Sequence, residues 1–174
     1  MKRLGMLAAV LVLLGRPAFA DHEQTRAAFR HVLARLIAAA SEPSTFASVT
    51  GRKTADDHSG DTRYAVTVAV PIFAGCEIRN DDRVPTQLAC WTKPSPDGAA
   101  VRARFDEIVA DVRAVLAERH LGGRSFEVGS CDGTAVFSNG ERCLDAGIPG
   151  GSIDLAIEPD AGGRTSLRLQ IGNE

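Results

Sequence analysis

The chain contains no CxxC or CxxH pair and no calcium-loop pattern, so no metal centre of recognisable spacing is present. No histidine follows His120, which removes the late base that a nucleophile elbow requires. Beyond its first fourteen residues no stretch stays apolar for the about 20 residues a spanning helix needs. Positive charge is neither abundant nor clustered, since 20 basic residues meet 22 acidic ones. Nucleic acid and anionic membrane both reward clustered positive charge and are therefore poor partners. Tryptophan occurs once, at position 91.

What the chain does have begins at its N-terminus. Lys2 and Arg3 precede an apolar run from Leu4 to Leu14, Pro17 breaks it, and Ala18-Phe19-Ala20 supplies small residues where a signal peptidase reads. This is the order of a secretory signal over residues 1–20, with cleavage expected between Ala20 and Asp21. The alternative is an uncleaved anchor, for which the run is about half the needed length. No cysteine lies near the cleavage site to carry a lipid. Residues 21–174 are then expected as one domain of 154 residues, with 17 basic against 22 acidic side chains, a net charge of −5. A chain of this size can bury about 68–70% of its unfolded surface. The expectation is a periplasmic or secreted protein with no stable membrane insertion after cleavage.

All four cysteines, Cys76, Cys90, Cys131 and Cys143, lie after the leader. An even count in an exported chain favours disulfides over free thiols. Of the three pairings, Cys76–Cys90 with Cys131–Cys143 closes two short loops and is the expected one. A hairpin turning near Arg83 sets Cys76 opposite Cys90 and Ile78 opposite Leu88. The second pair fits less simply. If Asn139-Gly140 is a two-residue turn, Cys143 falls opposite Val136, and the bond would tie a loop to a strand.

Apolar spacing predicts a helix over 23–40, with Phe29, Val32, Leu33, Leu36, Ile37 and Ala40 on one face and Arg26, Arg30 and Arg35 on the other. A second helix carries the stripe Val101, Phe105, Ile108, Val112, Val115 and Leu116. Ser95 or Asp97 is its N-cap, and Gly122-Gly123 its stop. Residues 45–52 suggest a short strand. Tyr64 to Phe73 is apolar on both faces and reads as a central strand. Strands are also expected over 76–79, 86–93, 125–128, 134–137, 152–157 and 165–171. The last two form a hairpin that pairs Ile153, Leu155 and Ile157 with Ile171, Leu169 and Leu167. Residues 147–151 read as a loose loop. The fold class is α+β, with two helices packed on a mainly antiparallel sheet of about five to seven strands in the order helix–strands–helix–strands. That order is similar to the one in compact helix–sheet chaperones that bind secreted effectors in bacteria. The similarity extends to element order alone, since those proteins have neither an export signal nor paired cysteines.

Each candidate site has a plain structural alternative. Gly129-Ser130-Cys131-Asp132-Gly133 has the outline of a nucleophile elbow, but a Gly- and Asn-containing stretch follows where a helix is required. A disulfide from Cys131 to Cys143 is the simpler reading. Asp56, Asp57, His58 and Asp61 could gather round a cation, or form a solvated loop. Asp81-Asp82 read as turn residues. His22, His31, His58 and His120 share no local motif, and His31 and His120 fall where they should be exposed. Asp106 and Glu107 read as a solvated helix face. Trp91, on the strand face opposite Cys90, could be a binding platform for a sugar or a protein, and core packing is the expected role.

No catalytic residue, metal site or cofactor is assigned from this pattern. The expectation is an exported, disulfide-stabilised, non-catalytic binding protein acting on another protein of the cell envelope or exterior, as inhibitor, immunity or accessory factor. Asn80–Pro85 and Cys131–Cys143 are its candidate recognition loops. Two alternatives stand beside it. One is a small extracytoplasmic hydrolase assembled from His58, Asp61 and His120. The other is a small-ligand carrier, which needs a deep apolar cavity between sheet and helices.

Overall fold

A computed structural model describes residues 17–56, 61–81, 84–121, 125–130 and 142–172. Helix α1 (Pro17–Ala40) leads through a short 3-10 turn (Ala47–Val49) into β1 (Thr50–Asp56), β2 (Thr62–Val66), β3 (Gly75–Asp81) and β4 (Val84–Trp91). Helix α2 (Gly98–Glu118) then precedes β5 (Phe126–Gly129), β6 (Arg142–Ile148), β7 (Gly151–Pro159) and β8 (Thr165–Gly172). The eight strands form one sheet in the order β1-β2-β3-β4-β8-β7-β6-β5. Every neighbouring pair is antiparallel. Each half of the chain is a helix followed by a four-strand meander, and the two meanders meet where β4 pairs with β8. The α+β class stands. The strand count is eight in place of five to seven. The order of elements also differs, with a 3-10 turn and four strands after the first helix where about three strands were expected.

Both helices cover the same face of the sheet. Phe29, Leu33, Leu36 and Ile37 of α1 and Phe105, Ile108, Val112 and Val115 of α2 are buried in one cluster with Ile78, Leu88, Cys90, Leu144, Ile153, Leu155, Leu169 and Ile171. Asp97 caps α2, its carboxylate accepting from the Ala100 amide at 3.0 Å. The stop of α2 comes before the expected glycines. His120 takes a left-handed φ of 54°. Its amide donates to Ala117 and that of Leu121 to Leu116, the paired bonds of a Schellman motif.

The expected central strand over 64–73 needs correction. Strand order ends at Val66, and β2 lies one place from the sheet edge. Pro71 lacks an amide donor, and Ile72 adopts φ 81°. Residues 67–74 instead run over the end of the core. Val70 is buried there, and Phe73 lies 6.1 Å from Phe29, centroid to centroid. Thr67, Ala69 and Ala74 are exposed and Val68, Pro71, Ile72 and Phe73 half-buried, so its apolar residues report a loop laid against the core, not a central strand. Residues 147–151 are likewise no loose loop. Ile148 pairs with Gly151 across a tight turn with Gly150 at φ 81°. The expected strand over 134–137 and the turn at Asn139-Gly140 lie outside the described residues.

Two register expectations hold residue for residue. Cys76 faces Cys90 and Ile78 faces Leu88. Ile153, Leu155 and Ile157 face Ile171, Leu169 and Leu167. Cys76 and Cys90 form a disulfide. Cys143 is also disulfide-bonded, and Cys131, its expected partner, lies outside the described residues. Among the described residues no helix is long and apolar enough to cross a membrane. The disulfide fits a periplasmic or extracellular protein.

Candidate binding surface

Strand alternation sends every second residue away from the helices, and no described helix lies on that second face. Its middle row, read across paired strands, is Glu77, Ala89, Gln170, Asp154, Asp145 and Glu127. A row on one side of it runs Gly75, Trp91, Arg168, Ala156 and Cys143. The row on the other side runs Arg63, Arg79, Gln87, Gly172 and Ser152. Ala89 and Ala156 are buried between longer neighbours, so the face has low ground flanked by polar and aromatic side chains.

Trp91 stands on this face with 40% of its surface exposed. That corrects the expected core role, because both helices pack on the opposite side of the sheet. The indole lies close over Gly75. A Cβ there would meet Cζ2 at 2.8 Å and Cε2 at 3.1 Å, so the glycine permits the ring's position. The backbone beneath is well held. The Ala74 amide donates to the Trp91 carbonyl at 2.8 Å, and the Thr92 amide to Leu167 at 3.0 Å. The disulfide joins the next pair of residues along the same two strands.

Charges on the face are unevenly matched. Arg79 pairs with Glu77, Arg63 with Asp61 at 3.1 Å, and Arg168 with Glu158 at 3.5 Å. Towards β5 the row is acidic. Asp154 accepts from the Ser152 hydroxyl at 2.8 Å, while Asp145 and Glu127 are exposed. Gln170 is buried, its amide nitrogen donating to Gln87 at 2.6 Å and its carbonyl oxygen lacking a partner among the described residues.

The second polar concentration lies between the helices. Asp111 is 1% exposed. It accepts from Arg26 Nη2 at 2.7 Å, from Arg26 Nε at 3.2 Å and from Arg30 Nη1 at 3.1 Å. Arg30 also donates to Glu23 at 3.0 Å. The bond to Asp111 holds the Arg26 guanidinium above its ordinary pKa, and the bond to Glu23 does the same for Arg30. This cluster joins α1 to α2. Sequence reading placed both arginines on a solvent face, because nothing local marks Asp111 as their partner.

The remaining candidates are dispersed. His22 contacts Glu107 at 3.2 Å, and Arg104 reaches the same carboxylate at 3.3 Å. Asp106 pairs with Arg142 at 2.8 Å, so neither acid is simply solvated. His31 and His120 are exposed, as expected. Asp61 is engaged with Arg63 beside β2, while His120 ends α2. Asp57, His58, Asp82 and the core of the elbow, Cys131–Gly133, lie outside the described residues, as does most of the second candidate loop. Among the described residues no three His, Cys, Asp or Glu side chains gather as metal ligands. A depression of about 160 Å³ between the helix C-termini is lined by Ile37, Ala38, Ser41, Arg119, Leu121 and Pro149. It is smaller than the roughly 300–1,000 Å³ of ordinary ligand sites. No family model, curated protein or solved structure matches the chain.

Proposed function

We propose that the chain is an exported, disulfide-stabilised binding protein that captures another protein of the cell envelope or exterior through the sheet face turned away from α1 and α2. The observation that carries this is Trp91, 40% exposed and held close over Gly75 beside the disulfide. A large aromatic on a rigid, polar-rimmed surface is the usual anchor of a protein interface, because it buries much area at little entropic cost. Inhibitor, immunity and accessory roles all use such a surface.

The leader-like residues 1–20 and the Cys76–Cys90 disulfide support export. Cleavage after Ala20 removes the first turn of α1 and keeps His22, Arg26 and Arg30, which bond to Glu107 and Asp111 of α2. The purified mature form should start at Asp21 by mass spectrometry. Affinity capture from a periplasmic extract under oxidising conditions tests the binding surface. Trp91→Ala should lose the captured protein while keeping its thermal midpoint. Equal capture by Trp91→Ala and by a variant substituted at Gln87 and Arg168 would overturn the reading.

A further inference from the structure

We infer that Cys76 and Cys90 are positioning residues of the binding face: their bond holds Gly75 as a floor beneath the Trp91 indole, and the register of their hairpin does not depend on it. This rests on the proposed use of Trp91 and adds what keeps the ring in place. The second half of the chain supplies the comparison. At one constant offset along the sequence, five consecutive pairs of β3–β4 correspond to five pairs of β7–β8. Ile78–Leu88 corresponds to Ile157–Leu167, with the same residue types in the same places. Cys76–Cys90 corresponds to Leu155–Leu169, and Gly75–Trp91 to Asp154–Gln170. Leu155 and Leu169 are wholly buried. A packed apolar pair thus keeps this register in β7–β8 with no covalent bond. On the helix side of the matched pairs, the cysteines are the one departure, and they adjoin the pair that carries Trp91.

That pair is where the ladder is weakest. Strand β3 starts at Gly75 and β4 stops at Trp91, whereas Asp154–Gln170 is followed by Ile153–Ile171 and Ser152–Gly172. The end of a ladder opens at almost no cost in free energy. Trp91 is steadied from its other side, where it pairs with Arg168 of β8. Gly75 has no such support, because the β2–β3 ladder ends at Ala65–Glu77 and the chain before Gly75 has left the sheet. The floor is therefore held from the β4 side, by the Ala74 amide on the Trp91 carbonyl and by the disulfide at the next residue. An indole seated as close as 2.8 Å to the place of a Cβ needs that floor fixed.

The test gives the mature protein the leucine pair of its own second half, Cys76→Leu with Cys90→Leu. Cys76→Val with Cys90→Ala serves as a smaller replacement should the leucines overfill the site. Hydrogen exchange should find the Ala74 amide exchanging about tenfold faster or more, while the amides of Ile78 and Leu88 stay protected. Time-resolved fluorescence anisotropy of the single Trp should gain a fast component, and capture from periplasmic extract should fall with it. An Ala74 amide and an indole as still as in the native chain would overturn the inference. So would loss of protection at Ile78 and Leu88, or failure of both variants to fold, since either makes the register depend on the bond. Undiminished capture by a variant with a loosened indole would overturn it too. If the indole loosens and Trp91→Ala leaves capture intact, the binding face falls while the bond still holds the ring. If the indole stays still and Trp91→Ala abolishes capture, the face remains and the positioning role falls.

Discussion

At the scale of single residues, Asp111 carries the largest electrostatic responsibility. Its buried carboxylate receives three bonds from two arginines on the other helix. Asp111→Ala strips the partly buried Arg26 of its hydrogen-bonded acid and leaves Arg30 with Glu23 alone, and should lower unfolding stability by about 2–3 kcal/mol in a denaturant titration. The partners lie 81 and 85 positions away in the chain, so no local pattern could reveal them. Sequence spacing shows which helix faces are apolar, and it is silent about which polar residue crosses between helices. Asp160 behaves in the opposite, local manner. Bonds from the backbone and side chain of Arg164 and from the Gly162 amide hold its carboxyl below the usual carboxylate range. Because the folded value is depressed, this contribution is present above the ordinary carboxylate pKa and is lost as pH falls through the folded value. An NMR titration should place the Asp160 midpoint below that of a free aspartate, with the Gly162 and Arg164 amides shifting in step. Gly75→Ala should displace the indole above it, which the fluorescence of the single Trp reports directly.

At the scale of elements, legibility followed locality. The β3–β4 and β7–β8 hairpins were readable to the residue, because alternating apolar side chains on both arms admit one register that keeps a face buried. The same reading supplied the Cys76–Cys90 bond. Replacing both cysteines with serine should cost about 3 kcal/mol, from the freedom returned to the unfolded loop. Helix α2 was legible in its stripe and in Asp97 as one of two candidate caps. Its stop was not, because His120 does what glycine usually does. The segment 64–73 misled because an apolar loop laid against the core and a central strand share one composition, and only Pro71 hints at broken pairing. Strand β6 was missed for a related reason. Leu144, Ala146 and Ile148 do alternate with Asp145 and Gly147, but the run is short and its end merges with the glycines of 147–151, which read as a loop.

At the scale of the whole molecule, one buried cluster joins both halves through α1, α2 and the central strands. Fluorescence of Trp91 and far-ultraviolet circular dichroism should therefore trace the same denaturation curve, and separate midpoints would show the halves unfolding apart. The α+β class was legible from the alternation of helical and strand periods. The sidedness of the sheet was not, since the pattern along one strand cannot say whether its second face is covered. That sidedness also bears on how the molecule is made. Cys90 is sealed beneath the helices, where no thiol oxidase can reach its sulfur in the finished protein. Cys76, the other end of the bond, is only partly buried, so exchange with thiols in the surroundings has one point of attack, the sulfur on β3.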